Sequence, residues 1–100
     1  MKHKIGFIGL GLIGGSIAKA IRQYYPDYEI VAFDKNKESL ALATQESMID
    51  VAATTIDNNF QNCNYIFLCA PVAYNTAYLK QLTEYLNYDC ILTDVGSVKT

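Results

Sequence analysis

A chain of 100 residues, 51% hydrophobic and 18% charged, has room for one small folded domain with its own core. Eight Lys and Arg against ten Asp and Glu give a formal net charge of -2, and no long basic run is present, so nucleic acid is not an expected partner. Cys63, Cys69 and Cys90 are odd in number and form no C-x-x-C pair, which reads as three reduced, buried thiols in a reducing cytosol.

The N-terminus has the outline of a secretory signal: Met1-Lys2-His3-Lys4, an apolar stretch over residues 5–13, then Ser16-Ile17-Ala18. Five glycines, Gly6, Gly9, Gly11, Gly14 and Gly15, argue for a phosphate-binding turn instead. The stretch is also too short and too rich in glycine to span a membrane. A cytoplasmic protein without membrane association is the expectation.

In chain order, residues 4–8 form a short apolar run that ends in Gly9, as a buried parallel strand would. From Leu12 onward the period changes. Ile13, Ile17, Ala20, Ile21 and Tyr24 fall on one helical face, with Lys19, Arg22 and Gln23 elsewhere, and Pro26-Asp27 ends the helix. Residues 29–33 read as a second strand. Asn36 is the expected N-cap of a second helix running to about Gln45, with Glu38 in its first turn. A short third strand is expected within residues 49–56, and residues 57–62 read as a turn or stunted helix. The continuous apolar run at 65–69 suits a central strand. After Pro71, the residues Val72, Thr76, Leu79, Leu82 and Leu86 recur at helical spacing. Residues 90–93 form a fifth strand, closed by Asp94-Val95-Gly96. Strands alternating with helices imply a parallel sheet covered on both faces.

The chemistry starts at the first turn. Gly9-Leu10-Gly11-Leu12-Ile13-Gly14 is a G-x-G-x-x-G placed after a strand and opening a helix. Gly9 permits the tight turn, Gly11 lets the backbone approach a pyrophosphate, and Gly14 lets the helix pack near the strand. The free amides around Leu12 and Ile13, with the helix dipole, favour the phosphate charge. Asp34 lies twenty residues after Gly14, at the carboxyl end of the second strand, where it can accept from the adenosine ribose hydroxyls and disfavour a 2′-phosphate. Its alternative readings are a solvated loop acid or a helix cap. Cys69-Ala70-Pro71 follows the fourth strand across the topological switch from the first, so Ala70 and Pro71 would leave room for the nicotinamide half. Pro71 is equally suited to the first position of a helix. Ser97, in Asp94-Val95-Gly96-Ser97-Val98-Lys99, suits either a substrate contact or a helix N-cap. These features specify an α/β, Rossmann-type doubly wound parallel sheet of strand order 3-2-1-4-5, binding NAD. The domain is expected over residues 1–100, with its sheet incomplete at the C-terminal end.

The run from Gly9 to Ala18, with its double glycine and serine, resembles the opening of the prephenate and arogenate dehydrogenase family. Phe67-Leu68-Cys69-Ala70-Pro71-Val72 and Asp94-Val95-Gly96-Ser97-Val98-Lys99 resemble its later motifs, the last being the most specific. The resemblance implies an NAD-dependent oxidative decarboxylation of prephenate to 4-hydroxyphenylpyruvate in tyrosine biosynthesis. It makes Ser97 an active-site residue working with a histidine further along. That histidine has no counterpart, since the chain's one histidine, His3, precedes the first strand. The family's helical C-terminal region, which completes the substrate pocket and forms a homodimer, would lie beyond Thr100, and the 100 residues alone are expected to be inactive. The alternatives are an arogenate, β-hydroxyacid or pyrroline-carboxylate dehydrogenase, or a non-catalytic nucleotide-sensing module.

Overall fold

Short apolar runs separated by helical segments fold here into strands β1 (Lys4–Ile8), β2 (Glu29–Phe33), β3 (Val51–Ala53), β4 (Tyr65–Leu68) and β5 (Ile91–Asp94). The helices are α1 (Gly11–Tyr24), α2 (Lys37–Gln45) and α3 (Val72–Leu82), with a 3-10 turn at Asn58–Phe60. The computed structural model describes residues 3–70, 72–86 and 89–94. All strand pairs are parallel, in the order β3-β2-β1-β4-β5, which is the expected topology. β1 and β2 lie at the centre and are buried at every position after their first, because both of their faces are covered.

Alternation along these strands divides the core into two layers. Ile5, Phe7, Ile30 and Ala32 point to one face and pack with Ala18 of α1 and Leu40 and Ala43 of α2. Ile8, Val31, Phe33, Ile66 and Leu68 point to the other and pack with Phe60 and Leu82. Phe7 sits beside Phe67 across the β1–β4 pair, with ring centroids 5.3 Å apart. Arg22 of α1 ties the amino edge together. It donates to the carbonyl oxygens of Ser47, Pro26 and Tyr28 and to the Asp50 carboxylate, which also accepts from the Ile30 amide.

Two helical faces differ from the periodicity. Among the described side chains of α1, Gly14 and Ala18 are buried and Ile17 and Ile21 half-buried, whereas Ile13, Ala20 and Tyr24 are exposed. Small residues make the closest approach to the sheet, and Ile17 and Ile21 pack beside them at the rim of the layer. On α3, Thr76 is exposed and the inward row is Tyr78, Leu82 and, past the helix end, Leu86. The thiols also differ from expectation: Cys63 is buried, but Cys69 and Cys90 are half-buried. Burial pushes the Cys63 thiol up to about 12, which keeps it protonated and inert.

Gly6 belongs to this packing and not to the turn. A Cβ there would lie 3.0 Å from Phe60, 3.1 Å from Ile66 and 3.2 Å from Cys63. Gly6→Ala is therefore expected to destabilise the fold by about 1–3 kcal/mol through overpacking, read as a lower denaturation midpoint by circular dichroism. An unchanged midpoint would mean that this layer has slack.

Candidate nucleotide-binding site

β1 ends at Ile8 and α1 begins at Gly11, so the chain must reverse direction in two residues. It does so with Gly9 at φ 85° and Gly11 at φ 55°, both in the left-handed region that glycine enters without a Cβ penalty. The Gly9 amide donates to the Phe33 carbonyl at 2.6 Å, fixing the turn to the end of β2. A Cβ on Gly9 would lie 2.8 Å from the Ala70 nitrogen and 2.9 Å from its Cα. The segments after β1 and β4 therefore meet backbone to backbone, at the point where the strand order reverses. Gly14 sits beneath, where a Cβ would be 3.1 Å from the Gly9 carbonyl and 3.3 Å from Cys69 Sγ.

A Cβ on Gly11, by contrast, would meet nothing within 4 Å. The turn thus presents bare main chain to open space. Leu10, the cap residue of α1, makes no side-chain capping bond, and the first turn carries no acidic residue. The Gly14 amide already bonds to Leu10 O at 2.7 Å, leaving the amides of Gly11, Leu12 and Ile13 ahead of it as the donors a helix start cannot satisfy internally. Together with the helix dipole they favour an anion.

Asp34 stands directly across from this turn. One carboxylate oxygen accepts from the Leu10 amide at 2.8 Å and the other from the Asn36 amide at 2.9 Å. Asp34 is half-buried and bridges the glycine turn to the β2–α2 loop. It is not the cap of α2; that is Asn36, whose side chain accepts from the amides of Glu38 and Ser39. Each Asp34 oxygen receives one of these backbone bonds and keeps further acceptor capacity.

These groups converge on an open cavity of about 340 Å³, at the small end of the roughly 300–1,000 Å³ typical of ligand pockets. Gly9, Leu10 and Gly11 form its floor, Asp34, Lys35, Asn36 and Ser39 one side, and Cys69, Ala70, Tyr74 and Tyr78 the other. Gly9, Gly11, Asp34 and Ala70 are thus brought together. Gly14 is buried behind the turn, and Leu12 and Ile13 lie in the first turn of α1, with Ile13 49% exposed. Pro71 and Ser97 lie outside the described residues. The sequence reading weighed Lys35 only as a cation near Asp34 that could accommodate a phosphate, and it missed Tyr74 and Tyr78. A signal for the tyrosines was present: Tyr74, Tyr78, Leu82 and Leu86 recur every four residues, a row that runs from the core to the carboxyl edge of the sheet. Among the described residues no group of three or more His, Cys, Asp or Glu could hold a metal ion, and no helix is long and apolar enough to cross a membrane.

A parallel sheet in this order, with a double-glycine turn leading into a helix and a carboxylate ending the second strand, defines a Rossmann-type nucleotide-binding domain. Residues 17–100 match the family described as prephenate dehydrogenase, nucleotide-binding domain, and the chain belongs to that family. The chain is 33% identical over 100 residues to the prephenate dehydrogenase of Bacillus subtilis (strain 168), an alignment covering 99% of the chain and 27% of that enzyme. It is also similar to the crystal structure of prephenate dehydrogenase from A. aeolicus in complex with hydroxyphenyl propionate and NAD+, with TM-score 0.87 and 32% identity over 97% of the chain and 34% of that structure. The Synechocystis arogenate dehydrogenase structure is similar too, with TM-score 0.84 and 33% identity over the same shares of the two chains. The chain therefore spans about a quarter to a third of the length of these relatives.

Removing the Asp34 carboxylate should loosen the turn even without ligand. Asp34→Ala leaves the Leu10 and Asn36 amides without their acceptor and is expected to cost about 1–3 kcal/mol. Urea denaturation would measure this; a loss of only a few tenths would mean that water replaces the carboxylate at both amides.

Proposed function

We infer that the chain is the NAD-binding part of a prephenate dehydrogenase, which converts prephenate to 4-hydroxyphenylpyruvate by oxidative decarboxylation. The observation that carries this reading is the meeting of the bare Gly11 turn and the Asp34 carboxylate on one cavity, in a chain of this family. NAD, when bound, supplies the acceptor for a hydride from the ring carbon bearing the hydroxyl, while CO2 leaves and the ring becomes aromatic. Aromatisation drives the step, so the protein's main tasks are to position the reactants and assist removal of the hydroxyl proton.

In this reading each residue has one task. The amides of Gly11, Leu12 and Ile13 hold the pyrophosphate, which approaches closely because Gly11 has no side chain. Asp34 offers its remaining lone pairs to the adenosine ribose hydroxyls and repels a 2′-phosphate. Gly9 and Gly14 let the turn and the helix sit close enough to do this. Ala70 and Pro71 keep the wall after β4 small where the nicotinamide half passes. Ser97 contacts the substrate. Residues 1–100 then form the cofactor domain of a longer cytoplasmic protein, whose remaining part supplies the histidine, closes the substrate pocket and pairs two copies. Arogenate is the second candidate substrate, favoured by the likeness to the Synechocystis enzyme. Following NADH formation by the full-length protein with prephenate and with arogenate decides between them, and turnover of neither would overturn the assignment.

Two binding experiments test the site itself. Equilibrium titration should show NAD bound more tightly than NADP. Asp34→Asn, which removes the charge but retains an acceptor, should narrow that gap; tighter NADP binding by the unmodified protein would refute the ribose-carboxylate role. Gly11→Val has room for its side chain in the fold, though the positive φ costs it about 1–3 kcal/mol. The variant should remain folded by circular dichroism and lose NAD binding. Normal NAD affinity in a folded Gly11→Val protein would place the pyrophosphate elsewhere.

A further inference from the structure

The far wall of the cavity carries chemistry that the glycine turn and Asp34 do not use. Tyr74 is exposed, at 45% of its surface, yet its ring is held from two sides. Tyr78, one turn further along α3, lies nearly parallel to it with centroids 6.2 Å apart. Tyr78 is in turn fixed edge-on against Phe33 at the end of β2, at 5.3 Å. Over the Tyr74 ring sits the Lys35 ammonium, 4.4 Å from the centroid. Lys35 follows directly after Asp34, and the ring lines the same cavity as the carboxylate assigned to the ribose. A base attached to that ribose has this ring within the same cavity. A tyrosine ring is a stacking surface for any purine, and its orientation is set by packing and not by the ligand.

We propose that Tyr74 is the stacking platform for the adenine of the dinucleotide, and that the base takes the place over the ring that the Lys35 ammonium holds. The inference rests on the dinucleotide reading above and extends it to the base. An exposed cation over a tyrosine is a weak contact, and a stacked purine is a stronger one. The exchange is therefore favourable but opposed by Lys35, and the two residues have opposite effects on affinity.

The test is a double-mutant cycle on the full-length protein, with NAD, ADP-ribose and nicotinamide mononucleotide as ligands and circular dichroism as the check on folding. Tyr74→Ala should weaken NAD and ADP-ribose by about 5- to 100-fold and leave nicotinamide mononucleotide, which lacks adenine, unchanged. Tyr74→Phe keeps the ring and should keep the affinity. Lys35→Ala should tighten NAD by about two- to fivefold, and that gain should vanish when Tyr74 is already Ala, since the two share one ring face. Unchanged NAD and ADP-ribose affinity in Tyr74→Ala overturns the platform, and weaker NAD binding in Lys35→Ala overturns the competition. A folded wild-type protein that binds no NAD would instead remove the dinucleotide reading on which both depend.

Discussion

The carboxyl edge of the sheet depends on how near the main chain leaving β1 comes to the main chain leaving β4. Gly9 and Ala70 approach so closely that a single methyl group at Gly9 would press into the Ala70 backbone. With that contact made, the turn has one path, and the amide of Gly9 meets the carbonyl of Phe33. α1 then starts at a defined point with its first amides facing outward. The same closeness continues down the helix as Gly14 and Ala18, both buried against the sheet. Interiors are packed densely enough that this fit leaves little freedom to its neighbours. The turn is shaped by steric exclusion, before any ligand contributes energy.

The parts of the structure legible in the sequence are those governed by local, repeated patterns. The strands announce themselves as short apolar runs that end in Gly9, Asp34 or Cys69, and their alternation with helices implies the sheet order that is found. Asn36 capping α2 was legible for the same reason, because an Asn before a helix satisfies its first amides locally. The face of α1 was legible in part. Apolar periodicity picks out Ile17 and Ile21, which pack on the sheet, but also the exposed Ile13, Ala20 and Tyr24, and it passes over the buried Gly14 and Ala18. Hydrophobicity ranks residues by what they gain from burial and is silent on how much space is available.

The site was legible in halves. The glycines, Asp34 and Ala70 stand at positions set by strand ends, which sequence locates well. The opposite wall of Tyr74 and Tyr78 depends on the rotation of α3 against β2, a tertiary fact that helical spacing alone does not fix. Gly6 shows the converse: counted with the phosphate turn by proximity in sequence, it serves the layer of Phe60, Cys63 and Ile66 by proximity in space.

The double bond made by Asp34 has a consequence for how such a domain changes its cofactor. The carboxylate that would discriminate between two nucleotides is also the staple that joins the glycine turn to the β2–α2 loop. Exchanging it for a residue that welcomes a phosphate therefore also unfastens the surface on which the phosphates rest. Selectivity and scaffold are inherited together here, and a lineage or a designer switching from one to the other must find a second anchor for Leu10 before the first is given up.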